Sequence, residues 1–270
     1  MPELPEVETT LRGVLPHLLK RRITEVVVRD SRLRWPITEG IEKLAGCAIQ
    51  IGTRRAKYLL FQTPHGTLLI HLGMSGSLRM VSADTPWRKH DHFALQLENG
   101  QSMRLHDPRR FGAVLLIPGA VADHPLLADL GPEPLGEAFT IEVLHAACKE
   151  RSAAIKNVIM DNHVVVGVGN IYACESLFMA GIRPSKAARR VSKASLTRLM
   201  ATIREVLTAS IEQGGTTLRD FLRENGEPGY FKQQLRVYDR EGEPCRVCQT
   251  TIKRIVLGQR STFFCPTCQR

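Results

Sequence analysis

Four cysteines in the last 26 residues, Cys245-x2-Cys248 and, sixteen residues on, Cys265-x2-Cys268, limit what this chain can fold into more than any other feature. Two thiolate pairs at this spacing sit on two knuckles whose tips can meet around one tetrahedral Zn²⁺, and four protein ligands leave no open position for a substrate. One structural zinc per chain is therefore expected, holding a small β-hairpin too short to build a core alone. Lys253, Arg254 and Arg260 lie between the pairs and give that hairpin a basic tip, suited to phosphate or to solvent. Cys47, Cys148 and Cys174 are isolated and read as small buried hydrophobes.

The metal reading depends on compartment. The opening residues carry acids and prolines rather than a basic segment followed by an apolar run, so no export signal is expected and disulfides are disfavoured. No apolar run is long enough to span a membrane. At 270 residues the chain has room for two cores, and 43% apolar residues exclude disordered and fibrous classes. Lys and Arg number 37 against 27 Asp and Glu, a net charge of +10, which points to a polyanionic partner such as nucleic acid.

Along the chain, Leu4, Val7, Leu11, Val14, Leu15 and Leu18 recur at helical spacing, closed by Lys20-Arg21-Arg22. From Ile23 the period changes to that of strands: 23–28, 48–54, 58–62, 67–71, a hairpin about Asn99-Gly100, and 112–117. Residues 1–118 thus read as a β-sandwich or flattened barrel with one leading helix, and 119–136, rich in proline and glycine, as a linker. Helical periodicity then predicts 141–150, 153–160, 170–180 and 194–213, with Ser192 and Ser195 as N-caps for the last and Asn170 capping the third. Gly214-Gly215-Thr216-Thr217 opens a loop running to Gly226-Glu227-Pro228-Gly229. The fold class is α+β in two domains, with a helical C-terminal domain and a zinc hairpin.

The chemistry-bearing residues begin at the second position. Met1 precedes a small residue, which favours its removal and leaves Pro2 as a secondary amine with a pKa of about 8, roughly two units below lysine. Such an amine condenses with an aldehyde to a permanently cationic iminium, and the neighbouring Glu3 carboxylate can move protons. The same two residues also suit an ordinary helix start. Lys57, at a strand end, can depress the amine pKa, hold a phosphate, or simply be solvated. Met74 and Phe111 lie in loops with Arg109, where they can wedge into a base stack while Arg109 meets an unpaired base, or can be core. His90-Asp91-His92 lacks a third metal ligand and reads as structural or phosphate-directed. Gly167-Val168-Gly169-Asn170 enters a helix whose N-terminus suits a phosphate.

Together Pro2-Glu3-Leu4-Pro5-Glu6-Val7-Glu8-Thr9, Leu72-Gly73-Met74-Ser75-Gly76, Asp107-Pro108-Arg109-Arg110-Phe111-Gly112, Gly167-Val168-Gly169-Asn170-Ile171-Tyr172 and the terminal cysteines resemble the formamidopyrimidine-DNA glycosylases over essentially the whole chain. The resemblance implies a catalytic β-sandwich domain (1–118), a linker (119–136), a helix-two-turn-helix domain (137–234) and a zinc finger (235–270), with DNA between the domains. It implies Pro2 as Schiff-base nucleophile, Glu3 as proton donor, and Lys57 and Arg260 as donors in β- and δ-elimination. His90, Arg109 and Arg151 would bind DNA, with Lys156 and Asn170 as further phosphate ligands and Met74 and Phe111 as wedges. The implied activity is excision of oxidised purines from duplex DNA followed by strand cleavage, by a monomer in a bacterial cytoplasm, associated with the nucleoid and not with a membrane. Two rivals are an endonuclease VIII-type glycosylase for oxidised pyrimidines and a catalytically silent zinc-finger DNA binder.

Overall fold

In the computed structural model, which describes residues 2–215 and 234–270, helix α1 spans Leu4–Leu18, as the apolar spacing predicts. Glu3 is its N-cap, and a capping box closes there: the Glu6 carboxylate accepts the Glu3 N–H at 2.9 Å and the Glu3 side chain accepts the Glu6 N–H. Val7, Leu11, Val14 and Leu18 face inward, each removal from water contributing about 1.5–3 kcal/mol before entropy is counted.

Eight strands follow: β1 (Ile23–Val28), β2 (Ile51–Arg55), β3 (Tyr58–Thr63), β4 (Gly66–His71), β5 (Ser77–Ser82), β6 (Asp91–Leu97), β7 (Gln101–His106) and β8 (Ala113–Ile117). They form two antiparallel sheets, ordered β1-β6-β7-β5 and β2-β3-β4-β8. Phe93, Leu95 and Met103 from one sheet and Phe61, Ile70 and Val114 from the other enter one core with the apolar stripe of α1. The expected strand at 48–54 starts later, because Ala48 and Ile49 make only isolated bridges, to Arg22 and Leu19. Strand β5 was not expected. Its alternation is hidden by Arg79, which is buried and held by the Asp91 carboxylate at 2.6 Å.

The contacts divide the chain after Ala128, and the second unit contains Asp129–Glu212 and the C-terminal residues. Its helices are α2 (Ile141–Cys148), α3 (Ile155–Ile159), α4 (Asn170–Met179) and α5 (Lys193–Glu212). Ser192 caps α5 by accepting the Ser195 N–H, so Ser195 donates rather than caps. Strands β9 (Lys253–Leu257) and β10 (Arg260–Phe264) form the C-terminal hairpin. Cys148 and Cys174 are buried as expected, whereas Cys47 is only partly buried, near the end of a turn where its thiol reaches the Lys43 carbonyl. Of the expected loop from 214 to 229, residues 216–229 lie outside the described residues. No helix among the described residues is long and apolar enough to cross a membrane.

Candidate functional site

Pro2 and Glu3 are buried at the head of α1, Glu3 with 3% exposure. Lys57 lies in the two-residue turn Ala56-Lys57 between β2 and β3, where Ala56 adopts a φ of 53°. Sequence reasoning missed the clamp that joins helix and turn: Glu8 accepts from Arg54 Nε at 2.9 Å, and the same guanidinium donates to the Ala56 carbonyl at 2.9 Å. The Arg54 side chain is largely buried, so this ion pair fixes the turn relative to α1 more firmly than an exposed pair would. No local pattern links Glu8 to Arg54, 46 residues away, so the sequence carried no signal for it.

Met74 and Phe111 are 37% and 40% exposed, and so are not core residues. Arg109 is exposed beside them, its guanidinium 4.9 Å from the centre of the Phe111 ring. The two loops touch through backbone: Gly73 has a φ of +63°, and a Cβ there would come within 2.4 Å of the Phe111 carbonyl carbon. His90 is partly buried, and that burial, with Lys89, His106, His92 and Arg110 nearby, lowers its pKa. Asp91 and His92 are structural: Asp91 accepts from Arg79 and the Arg88 N–H and faces His106 at 3.0 Å, while His92 lies 3.0 Å from the Asp107 carbonyl.

Behind Phe111 lies a cavity of about 140 Å³ whose walls include Arg34, Trp35, Tyr58 and His71. Strand reading alone gave His71 no role. Burial, and the cations of Lys57 and Arg34, push its pKa down from 6.5 to about 4. Between those two values the unfolded chain binds a proton that the folded chain refuses. Stability held by this neutral imidazole is complete above pH 6.5 and is lost as the pH falls toward 4. The melting temperature is expected to drop over that interval and to drop less in His71→Gln. An equal drop in both proteins would remove His71 as its cause.

In the second unit, Lys156 is fully buried. Its ammonium donates to Asn170 Oδ1, to Thr262 Oγ1 at 2.7 Å and to the Ser261 carbonyl at 3.4 Å. Asn170 is the first residue of α4, not its cap. The cap is Gly169, and the Asn170 amide donates across to the Ser261 carbonyl at 2.9 Å. These bonds dock β10 against the start of α4, one residue from exposed Arg260. Of the three basic residues expected at the hairpin tip, only Arg260 is there. Lys253 and Arg254 pair with Phe264 and Phe263 at the other end, and Arg254 forms an ion pair with Glu241 at 2.8 Å. Arg151 is exposed and bound to Asp161 at 2.8 Å. The Glu175 carboxylate, its pKa raised by burial, accepts the N–H groups of Arg236, Val237 and Tyr238 and anchors the approach to the hairpin.

The sulfurs of Cys245, Cys248, Cys265 and Cys268 all lie within 4.8 Å of one another. Neighbouring separations of 3.4 and 3.9 Å match the roughly 3.8 Å edge of a tetrahedron with 2.3 Å zinc–sulfur bonds. The Val247 and Cys268 N–H groups point at the Cys245 and Cys265 sulfurs, orienting the thiolates. Donor set and spacing therefore fit zinc. Among the described residues, no other cluster of three or more such side chains fits a metal.

Comparison with known proteins accounts for both units. The formamidopyrimidine-DNA glycosylase N-terminal domain matches residues 1–114, the H2TH domain of the same enzymes 130–222, and a zinc finger found in FPG and IleRS 242–270. The chain is 59% identical to the formamidopyrimidine-DNA glycosylase of Thioalkalivibrio sulfidiphilus and 52% identical to that of Idiomarina loihiensis, each comparison covering 100% of both chains. Among solved structures it is similar to the MutM (FPG) protein of Thermus thermophilus, with a TM-score of 0.89 and 40% identity over 99% of this chain and 98% of that one. It is also similar to Lactococcus lactis Fpg in complex with abasic-site DNA, with a TM-score of 0.92 and 32% identity over 100% of both chains.

Proposed function

This chain belongs to the formamidopyrimidine-DNA glycosylase family, and on that premise we propose that it is a bifunctional DNA glycosylase and abasic-site lyase that removes oxidised purines from duplex DNA. The observation that carries this reading is the Pro2-Glu3 pair at the head of α1, buried, with Lys57 on a turn clamped to the same helix. The damaged nucleotide leaves the stack, since its anomeric carbon cannot be reached within it. With Met1 removed, Glu3 protonates the ring oxygen as the sugar opens, the Pro2 nitrogen adds to that carbon with loss of its proton, and the base departs with the bonding pair to leave the iminium.

The resulting iminium acidifies the adjacent sugar C–H. Loss of that proton expels the 3′ phosphate, and a second elimination expels the 5′ phosphate. Lys57 and Arg260 act as the donors in these two eliminations, and the product is a one-nucleotide gap. The four cysteines hold a zinc that supplies no chemistry to the reaction and fixes the hairpin carrying Arg260. His90, Arg151 and Asn170 contact phosphates, Lys156 supports Asn170, and Met74 and Phe111 fill the space left by the extruded nucleotide. The enzyme works as a monomer, with the chromosome, in the bacterial cytoplasm.

Duplexes carrying one 8-oxoguanine, one formamidopyrimidine or one oxidised pyrimidine test the substrate class. Faster cleavage of the two purine lesions supports the reading. Preference for the pyrimidine would assign an endonuclease VIII-type activity, and binding without cleavage a silent DNA binder.

The two arginines are expected to differ. Arg109 meets the orphaned base, so Arg109→Ala loses discrimination among opposing bases, at a cost of about 1–3 kcal/mol for a bidentate pair. Arg260 meets phosphate. Arg260→Ala weakens binding to all duplexes alike, flattens the salt dependence by about one unit, and slows strand cleavage more than base release. Equal loss of discrimination in both variants, or an unchanged salt slope for Arg260→Ala, would show these roles to be wrongly assigned.

A further inference from the structure

One buried carboxylate ties together the loops that carry Met74, Arg109 and Phe111. Asp107 is fully buried. Its Oδ1 accepts the Ser75 hydroxyl at 3.0 Å and its Oδ2 accepts the Gly112 N–H at 2.8 Å. Its own N–H donates to the His90 carbonyl at 2.9 Å, and its carbonyl accepts the Arg110 N–H at 3.2 Å. The Ser75 oxygen accepts the Arg109 N–H at 3.3 Å, so the link runs on to the residue beside Phe111. These bonds are buried, and inside a protein a hydrogen bond is electrostatically stronger than one exposed to water.

Strand pairing holds the loop ends, at His71–Ala113 and Ser77–His106, and Leu72 is core, so the Asp107 bonds act on the tips between, which carry the exposed side chains. We propose that Asp107 is a positioning residue that makes segments 72–76 and 106–112 one rigid blade, so that Met74, Arg109 and Phe111 enter and leave a duplex together. The absence of a Cβ at Gly73 is the complementary device, letting the blade's two edges meet backbone to backbone. The inference rests on the reading that these three residues meet duplex DNA.

The test separates blade work from amine chemistry. Single-turnover excision from an 8-oxoguanine duplex, with each opposing base, requires the blade. Borohydride trapping on a single-stranded abasic oligonucleotide requires only the amine, because no stack has to open. Ser75→Ala and Asp107→Ala are expected to slow duplex excision about ten- to a hundredfold, the size of effect a shift of roughly 1 Å produces. Both should blur discrimination among opposing bases and leave single-strand trapping at the wild-type level. Asp107→Asn should recover most of the loss, its oxygen keeping the Gly112 N–H and its amide donating to Ser75.

Should Asp107→Ala fail to fold, Ser75→Ala carries the test alone, since it leaves the Asp107–Gly112 bond in place. Wild-type excision and discrimination in Ser75→Ala would overturn the proposal, as would a proportional loss on duplex and single strand. If the wild-type protein itself traps no abasic oligonucleotide, the glycosylase reading fails first and takes the blade with it.

Discussion

Glu3→Gln is expected to slow base release from an 8-oxoguanine duplex by about 10²–10⁴-fold, the usual contribution of a positioned general acid, with duplex affinity unchanged. The substitution is nearly isosteric and removes only the proton. The Glu6 carboxylate grips the Glu3 backbone N–H, and the glutamine keeps a side-chain oxygen to accept the Glu6 N–H, so the capping box at the start of α1 survives. A neutral amide also suits a position only 3% exposed, where a carboxylate must be compensated. Single-turnover rates with an affinity titration check the outcome. A fall in melting temperature with little change in rate would instead make Glu3 an ordinary helix cap.

Cys248→Ser is expected to release the metal and abolish tight DNA binding while the sandwich unit stays folded. Structural zinc contributes on the order of 10–16 kcal/mol to small four-ligand sites, more than any packing this hairpin can substitute. Its apolar residues, Ile252 and Phe263, form a core only together with Cys245, Cys265 and the α4 residues Cys174 and Phe178. Loss of the metal therefore frees β10, and with it the Ser261 and Thr262 groups that Lys156 and Asn170 hold. The sandwich core draws on none of these residues, so its thermal transition should persist. Metal analysis, calorimetry and a binding titration report the three outcomes. One zinc per chain with wild-type affinity in the variant would contradict the assignment.

What the sequence revealed and what it concealed follow one physical division. Features written in local periodicity were legible: α1 from its apolar spacing, the β6–β7 hairpin from Asn99-Gly100 between alternating strands, the zinc hairpin from two Cys-x2-Cys pairs. Features set by pairing across the fold were not. Strand β5 was hidden because a buried Arg79 breaks its alternation, and only Asp91, twelve residues away, makes that burial tolerable. Asn170 has the composition of a cap, yet its side chain serves Lys156 and Ser261, groups brought to it by tertiary packing. Lys253 and Arg254 look like hairpin-tip residues until the register places them opposite Phe264 and Phe263. The Pro2-Glu3 motif was legible as chemistry, whereas the Glu8–Arg54 clamp that fixes the Lys57 turn could be seen only in three dimensions.

In the proposed reaction the Pro2 nitrogen forms the covalent link to DNA. Its most direct test is borohydride reduction of the protein with an abasic-site duplex, followed by mass spectrometry of the cross-linked peptide. Near-stoichiometric trapping is expected, with the adduct on the N-terminal peptide at Pro2 and trapping largely lost in Pro2→Gly or in protein that retains Met1. An adduct mapped to Lys57, or undiminished trapping in Pro2→Gly, would contradict it.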